Sequence, residues 1–129
     1  MDLLARLRRS GRGALLFALF AVPGSCNFGK ADIAQAPEHP TFDPDVKQVL
    51  ADHCLLCHGD PPNRGAPSRF RLDVYNDVVG GPRGAFFEAS DIIRTVDSGK
   101  MPPAALWGDG VGPNGKLVLD RWLADGAPT

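Results

Sequence analysis

The sequence has few of the side chains that bind transition metals through sulfur or imidazole. Its 129 residues include three cysteines, three histidines and two methionines. A structural zinc site uses four such ligands, commonly as two pairs of similar spacing. Only one closely spaced cysteine pair is present, Cys54 and Cys57. The sequence therefore argues against a four-ligand zinc site.

Long apolar runs are also missing. The run from Ala14 to Val22 has nine residues, whereas a membrane-spanning helix needs about 20. Four arginines between residues 6 and 12 precede this run, and a basic region before a short apolar run is the pattern of an export signal. The pair Arg8-Arg9 leaves a twin-arginine export route as the alternative.

The sequence has no stripe of basic residues, so it does not predict nucleic-acid binding. From residue 27 onward it has 10 Lys and Arg against 14 Asp and Glu, a net charge of −4. A mildly acidic domain favours a basic protein partner, weakly at physiological salt because such charges are screened.

The most informative stretch is Cys54-Leu55-Leu56-Cys57-His58. Two thiols one helical turn apart can each add to a vinyl group of haem, and the histidine that follows reaches the iron as an axial ligand. We therefore predict one covalently attached haem c, with His58 bound to the iron. A redox dithiol would need a βαβ unit, which the sequence does not indicate. A zinc site would need a second pair of ligands, and the sequence contains no such pair.

Cys26 is the cysteine outside this motif, and it directly follows the apolar run in Val22-Pro23-Gly24-Ser25-Cys26. Small residues before a cysteine at this place resemble the lipobox of bacterial lipoproteins, in which the cysteine is acylated. We predict a signal peptide over 1–26, a lipid anchor on Cys26, and an exported, periplasmic lipoprotein held at the membrane. Cleavage by ordinary signal peptidase further along the chain is the alternative. Residues 27–40 contain glycine and proline and are predicted to form a flexible tether.

The remaining residues, 41–129, are predicted to form one all-α domain. Asp43 is placed to cap a first helix with Pro44 at its first position, and apolar residues recur at three and four up to Cys57. A last helix is predicted over about 114–125, with Gly126 ending it. Between them we expect a brief extended stretch over 69–72.

Two shorter helices are predicted in the middle of the domain. One runs from Asp73 to Val79, and the other from Asp91 to Ser98 with Ser90 as its cap and Gly99 as its stop. Met101 follows in a loop stiffened by Pro102 and Pro103. Because it is the only methionine besides the initiator and does not lie on a helix face, it is the best candidate for the second axial ligand.

Several segments together resemble a class I c-type cytochrome, and in particular the small monohaem domains found in planctomycete and myxobacterial proteins. The resemblance covers 41–128 and is carried by the haem motif and by Pro40-Thr41-Phe42, Arg71-Leu72-Asp73, Met101-Pro102-Pro103 and the segment 120–128. It implies a cytochrome c fold, with N- and C-terminal helices packed across each other around the haem, and haem binding by Cys54, Cys57, His58 and Met101.

The resemblance also implies that the backbone carbonyl of Pro67 orients the His58 ring; Pro61 and Pro62 are the alternatives. The haem propionates are left without an assigned partner, and five side chains are candidates for that contact: Arg69, Arg71, Arg83, Tyr75 and Trp107.

A low-spin haem with histidine and methionine ligands has no position open to substrate. We therefore expect an electron carrier between protein redox partners, without catalytic residues of its own, although it could be a subunit of an oxidoreductase. Two alternatives remain: a haem enzyme or gas sensor in which a ligand displaces Met101, and an interaction subunit whose haem is only structural. Since so small a domain has little core of its own, the haem-free protein is expected to be largely unfolded.

Overall fold

The computed structural model describes residues 32–108 and 110–129. Every secondary-structure element in these ranges is a helix, and a single bridge between Phe70 and Arg83 is their only β pairing. The predicted all-α class is therefore confirmed. No helix in these ranges is both long and apolar enough to cross a bilayer. The predicted signal peptide and Cys26 lie outside the described residues.

The helices follow one another in a simple order. A π-type turn, Phe42–Val46, leads directly into the first α-helix. The α-helices are α1 (Lys47–His53), α2 (Leu55–His58), α3 (Ala85–Asp97), α4 (Ala104–Trp107) and α5 (Gly112–Ala124). Only Cys54 separates α1 from α2, because its φ of −122° departs from helical geometry.

The start of the first helix differs in detail from the prediction. Asp43 has the extended backbone of a capping position, with φ −112° and ψ 115°. Its carboxylate, however, lies 3.0 Å from the Lys47 ammonium, and the residue at the N-cap is Thr41, whose side chain makes no capping bond. Asp45 instead accepts the Thr41 N–H at 3.0 Å. The start of the helix is therefore fixed by a hydrogen bond from the N–H of Thr41, the residue before the helix, to the Asp45 carboxylate.

The core lies where the first helix meets α5. Six fully buried apolar side chains come from the π-type turn, α1 and α5: Val46, Val49, Leu50, Val118, Leu119 and Trp122. The ring of Phe42 lies 6.1 Å from that of Trp122 and 5.3 Å from that of Tyr75, measured between centroids. Full burial of a large apolar side chain is worth about 1.5–3 kcal/mol, so this contact contributes much of the domain's stability.

Helix α3 starts earlier than predicted. It begins at Ala85, so Ser90 lies within the helix and does not cap it. The free N–H groups of its first turn are satisfied by the preceding loop, since Ala85 donates to the Val74 carbonyl at 2.8 Å and Phe86 to the Tyr75 carbonyl at 3.1 Å. Its end agrees with the prediction, because Gly99 has a φ of +66°, a conformation that favours glycine.

The helix predicted from Asp73 to Val79 does not form. Residues 78–82 make a tight turn, in which Val78 donates to the Pro82 carbonyl at 3.0 Å and Gly81 to the Val78 carbonyl at 2.8 Å. Asp77 accepts the Gly84 N–H at 3.0 Å. These bonds satisfy the backbone without a helix. Of the stretch 69–72, which was predicted to be extended, only Phe70 forms a β bridge, to Arg83, whereas Arg69 lies in a turn and Leu72 in a bend. Arg71 donates its N–H to the Arg83 carbonyl at 2.7 Å.

The described part of the predicted tether, 32–40, packs against α5. The Asp32 carboxylate accepts the N–H groups of Asn114 and Gly115, each at 2.9 Å. The Arg121 guanidinium donates to the carbonyl oxygens of Ala36 at 3.0 Å and Pro37 at 2.6 Å. This segment therefore differs from a flexible tether, because its polar groups are bonded to the helix.

Replacing Asp32 with alanine is expected to destabilise the domain by about 1 kcal/mol, the usual cost of losing a side-chain cap at a helix N-terminus. Burial alone would raise the pKa of Asp32, but the N–H groups of Asn114, Gly115 and Ile33 hold that pKa below its ordinary value of 3.8. The Asp32 carboxylate therefore makes its full contribution to the free energy of unfolding at neutral pH, and this contribution is lost as the pH falls through the lowered pKa. Urea unfolding at several pH values measures both effects.

Two variants control this experiment. Asp32→Asn keeps an acceptor oxygen without the charge, so it should lose less stability and show less change with pH. Glu38→Ala removes an exposed carboxylate from the same segment and should leave the unfolding midpoint unchanged. An Asp32→Ala protein as stable as the wild type would show that the contact with α5 contributes nothing.

Candidate functional site

The segment from Cys54 to His58, which the sequence predicts to bind haem, forms one helical turn after α1. Cys54 donates its N–H to the Leu50 carbonyl at 2.8 Å, and Cys57 and His58 donate theirs to the Cys54 carbonyl at 3.1 and 2.9 Å. Neither cysteine forms a disulfide, and both residues are partly buried. The backbone thus fixes the two cysteines and the histidine relative to one another on a single short element.

Two adjoining cavities lie beside this turn. The larger, about 320 Å³, extends towards α3, and the smaller, about 150 Å³, extends towards α4. Cys54, His58, Pro67 and Met101 line both cavities, and Cys57 lines the smaller one. The fold therefore brings together all five residues predicted to bind the cofactor. The larger cavity alone is within the range of pockets that hold small molecules, about 300–1,000 Å³.

Met101 reaches this site from the loop after α3, as the sequence predicts. Its N–H donates to the Thr95 carbonyl at 3.1 Å, and the Lys100 N–H donates to the same carbonyl at 2.9 Å. Pro102, the next residue, is buried. The Met101 side chain is 38% exposed and also borders a third cavity of about 410 Å³ in front of α5. Its backbone is therefore fixed while its side chain stays accessible from the cavities.

The His58 ring is partly buried, and burial lowers the pKa of its imidazole. The ring is therefore neutral at pH 7, the form that binds metals. Within the described ranges, its buried Nδ1 has no hydrogen-bond partner. Pro67 lines the same cavities, but no hydrogen bond joins the two residues there. The role assigned to the Pro67 carbonyl stays a prediction.

The sequence analysis missed Phe70. Its ring stacks on the His58 ring, with centroids 5.1 Å apart and planes inclined by 17°. The Arg69 guanidinium lies 5.5 Å from the centroid of the same Phe70 ring. The sequence predicted only a brief extended stretch over 69–72, and nothing in it identified His58 as the contact of Phe70.

The Cys54 thiol does not have the character of a redox-active cysteine. Burial, with a further contribution from the neighbouring Cys57, raises the pKa of Cys54 to about 12. Dithiols that exchange disulfides have lowered thiol pKa values instead, so the geometry does not favour that alternative. Among the described residues, no three His, Cys, Asp or Glu side chains come together as a metal-binding group.

The structure distinguishes among the five candidates for a propionate contact. Trp107 is buried and donates its indole N–H to the Asp52 carbonyl at 3.4 Å. The Tyr75 hydroxyl donates to the Ala127 carbonyl at 2.8 Å, and Arg71 pairs with Asp60 and Asp73. Arg83 lies over the Phe87 ring. Of the five, only Arg69 lines the larger cavity.

Comparison with known proteins finds no matching family model, no matching curated protein and no matching solved structure. The residues of this chain and their geometry therefore support the function proposed below.

Proposed function

We propose that this protein is an exported c-type cytochrome that carries single electrons. The observation that supports this most strongly is the position of Met101. It is far from the haem motif in sequence, yet it lines both cavities that Cys54 and His58 line. A thioether and an imidazole beside one apolar space are the axial ligand pair of c-type cytochromes that transfer electrons.

Cys54 and Cys57 would hold the haem covalently. Each thiol adds across one vinyl group, so that sulfur bonds to one carbon and the hydrogen goes to the other, with no net oxidation. Their shared helical turn sets the spacing of the two sulfurs.

His58 and Met101 would occupy the two axial positions of the iron. A haem bound here supplies a one-electron couple between ferric and ferrous iron. With both positions filled by protein, no coordination site is left for a substrate. The soft Met101 sulfur favours ferrous iron and therefore raises the reduction potential. These two side chains thus define a carrier and not a catalyst.

The surrounding structure supports a cytochrome c fold in this proposal. The motif follows α1, and the π-type turn that leads into α1 packs against α5, as does α3. Arg69 is the best candidate to contact a haem propionate. The carrier would act outside the inner membrane, held there by a lipid on Cys26, and would exchange electrons with a protein donor and a protein acceptor.

A second candidate function follows from the exposure of Met101. Because this ligand lies on a loop and is accessible, a small molecule could displace it, as in a haem enzyme or gas sensor. The two functions differ in one property. A carrier keeps Met101 on the iron in the ferrous state, whereas a sensor or enzyme releases it.

Visible spectroscopy of the exported protein tests both. The carrier is expected to give a haemochrome typical of two thioether links, a low-spin spectrum with the far-red band of methionine-ligated ferric haem, and no reaction of the ferrous form with carbon monoxide. A high-spin spectrum with immediate carbon monoxide binding would favour the second candidate. A protein that acquires no haem in a host competent for c-type haem attachment would refute both.

A further inference from the structure

Residues 32–40, here called the strap, are bound to α5 from its first turn onward. The Asp32 carboxylate accepts the N–H groups of Asn114 and Gly115, each at 2.9 Å. The side-chain amide of Asn114 donates in return to the Ile33 carbonyl at 2.9 Å. The chain therefore enters the domain at the N-terminal end of α5.

The rest of the strap follows α5 towards its C-terminal end. The Arg121 guanidinium donates to the carbonyl oxygens of Ala36 and Pro37. The Ala36 side chain is buried, and Pro40, the last residue of the strap, is fully buried. Hydrogen bonds and burial therefore hold both ends of the strap to the domain, so the strap does not act as a free linker.

Few residues lie between the strap and the cysteine that is proposed to carry the lipid. Cys26 precedes Asp32 by six positions, and a fully extended chain of that length spans at most about 20 Å. A domain of about 100 residues has a radius of gyration of about 13 Å and hence a diameter of about 30 Å. The link is therefore shorter than the domain is wide. A chain free as far as residue 40 would span about 50 Å, enough for any face to reach the bilayer.

We propose that the strap determines which face of the domain meets the membrane, and that this face is the N-terminal end of α5, around Pro113. The surface that it meets is that of a lipid bilayer. The inference rests on the proposed function, because it requires the lipid on Cys26. The C-terminal end of α5, at Ala124, is then held further from the bilayer. Since Met101 borders the cavity that Gly112 and Pro113 also line, the Met101 side of the site lies towards the membrane.

Energy transfer from the domain to the bilayer tests this orientation. A donor fluorophore is attached to one introduced cysteine, Pro113→Cys or Ala124→Cys, in the exported, acylated holoprotein. The vesicles contain phosphatidylethanolamine, phosphatidylglycerol and a lipid with an acceptor on its head group. Both positions are exposed, and they are about 16 Å apart along the helix axis. We expect the acceptor lipid to shorten the donor lifetime more at position 113 than at position 124. Lifetimes in vesicles without the acceptor correct for quenching by haem.

Two further changes separate the effect of the strap from that of the short link. Inserting ten Gly and Ser residues after Gly29 keeps the strap but lets the link span more than about 50 Å, so the difference between the two positions should disappear. Asp32→Ala combined with Arg121→Ala releases the strap and should reduce the difference. Glu38→Ala alters an exposed strap residue and should preserve it. If the double variant does not fold, the insertion decides.

Equal transfer from the two positions, or stronger transfer from position 124, would overturn the inference. A difference that survives the insertion would also overturn it, because the short link would then not be its cause. A mature protein that stays in solution when the vesicles are floated would refute the lipid anchor and the inference together. Failure of the carrier function is seen separately, in the visible spectrum of the same protein.

Discussion

Replacing both Cys54 and Cys57 with alanine is expected to abolish covalent haem attachment and to leave the domain largely unfolded. The two thiols are the only free cysteines among the described residues, and they border the cavities that the haem would fill. A domain of this size buries a small apolar core. Removing the group at its centre exposes the cavity walls to water, so the folded state loses much of its stability, as in small metal-dependent folds.

Two measurements check this result. Acid-acetone extraction followed by a pyridine haemochrome shows whether any haem stays bound to the chain, and circular dichroism during urea unfolding shows whether a cooperative transition remains. Cys26→Ser is the matched control, because it removes a thiol outside the motif and should keep the haem. A double alanine variant that is haem-free yet unfolds cooperatively like the wild type would contradict the expected dependence of folding on haem.

The parts of the fold that local sequence determines were predicted well. Helix α5 was predicted from the apolar face of Leu119, Trp122 and Leu123; the first two are fully buried and Leu123 is partly buried. The helix ends before Gly126, whose φ is +83°. The motif from Cys54 to His58 is likewise local, since its geometry requires only one helical turn. In each case the signal and the structure involve the same few consecutive residues.

The parts that depend on distant partners were not predictable from the sequence. The first turn of α3 begins at Ala85 because the carbonyls of Val74 and Tyr75 accept its N–H groups, and no pattern within the helix indicates this. Asp32 binds the start of α5, more than 80 residues away. The glycine and proline content of residues 27–40 predicted a flexible tether. Composition indicates how stiff a segment is, but it does not indicate which surface the segment packs against.

The residues of the candidate site likewise fall into those that the sequence predicted and those that it did not. The sequence predicted the five residues around the cavities from their chemical types and from the resemblance to cytochromes. It did not predict Phe70, because stacking on His58 depends on where the bridge with Arg83 places the Phe70 ring. A prediction from residue type finds groups that can bind a cofactor, whereas the contacts that orient those groups become visible only in the packed structure.

Replacing Met101 with leucine is expected to convert an inert, low-spin haem into one that binds carbon monoxide on mixing. Leucine keeps a side chain of similar volume, so the loop should remain folded, but it lacks the sulfur that would bind the iron. The ferrous iron then has an open sixth position. The reduction potential should also fall, since the thioether that favours ferrous iron is gone, and axial ligands set haem potentials over a range of about 0.8 V.

Stopped-flow mixing of the ferrous protein with carbon monoxide measures the first effect, and a spectroscopic redox titration measures the second. Leu117→Ala is a suitable control, because Leu117 is as exposed as Met101, at 38%, but lies on α5 and lines none of the three cavities. It should leave both properties unchanged. A Met101→Leu protein that keeps the far-red band and ignores carbon monoxide would remove Met101 from the iron. If instead the wild type already binds carbon monoxide as fast as Met101→Leu, the site is open without substitution and the sensor or enzyme function is favoured over the carrier.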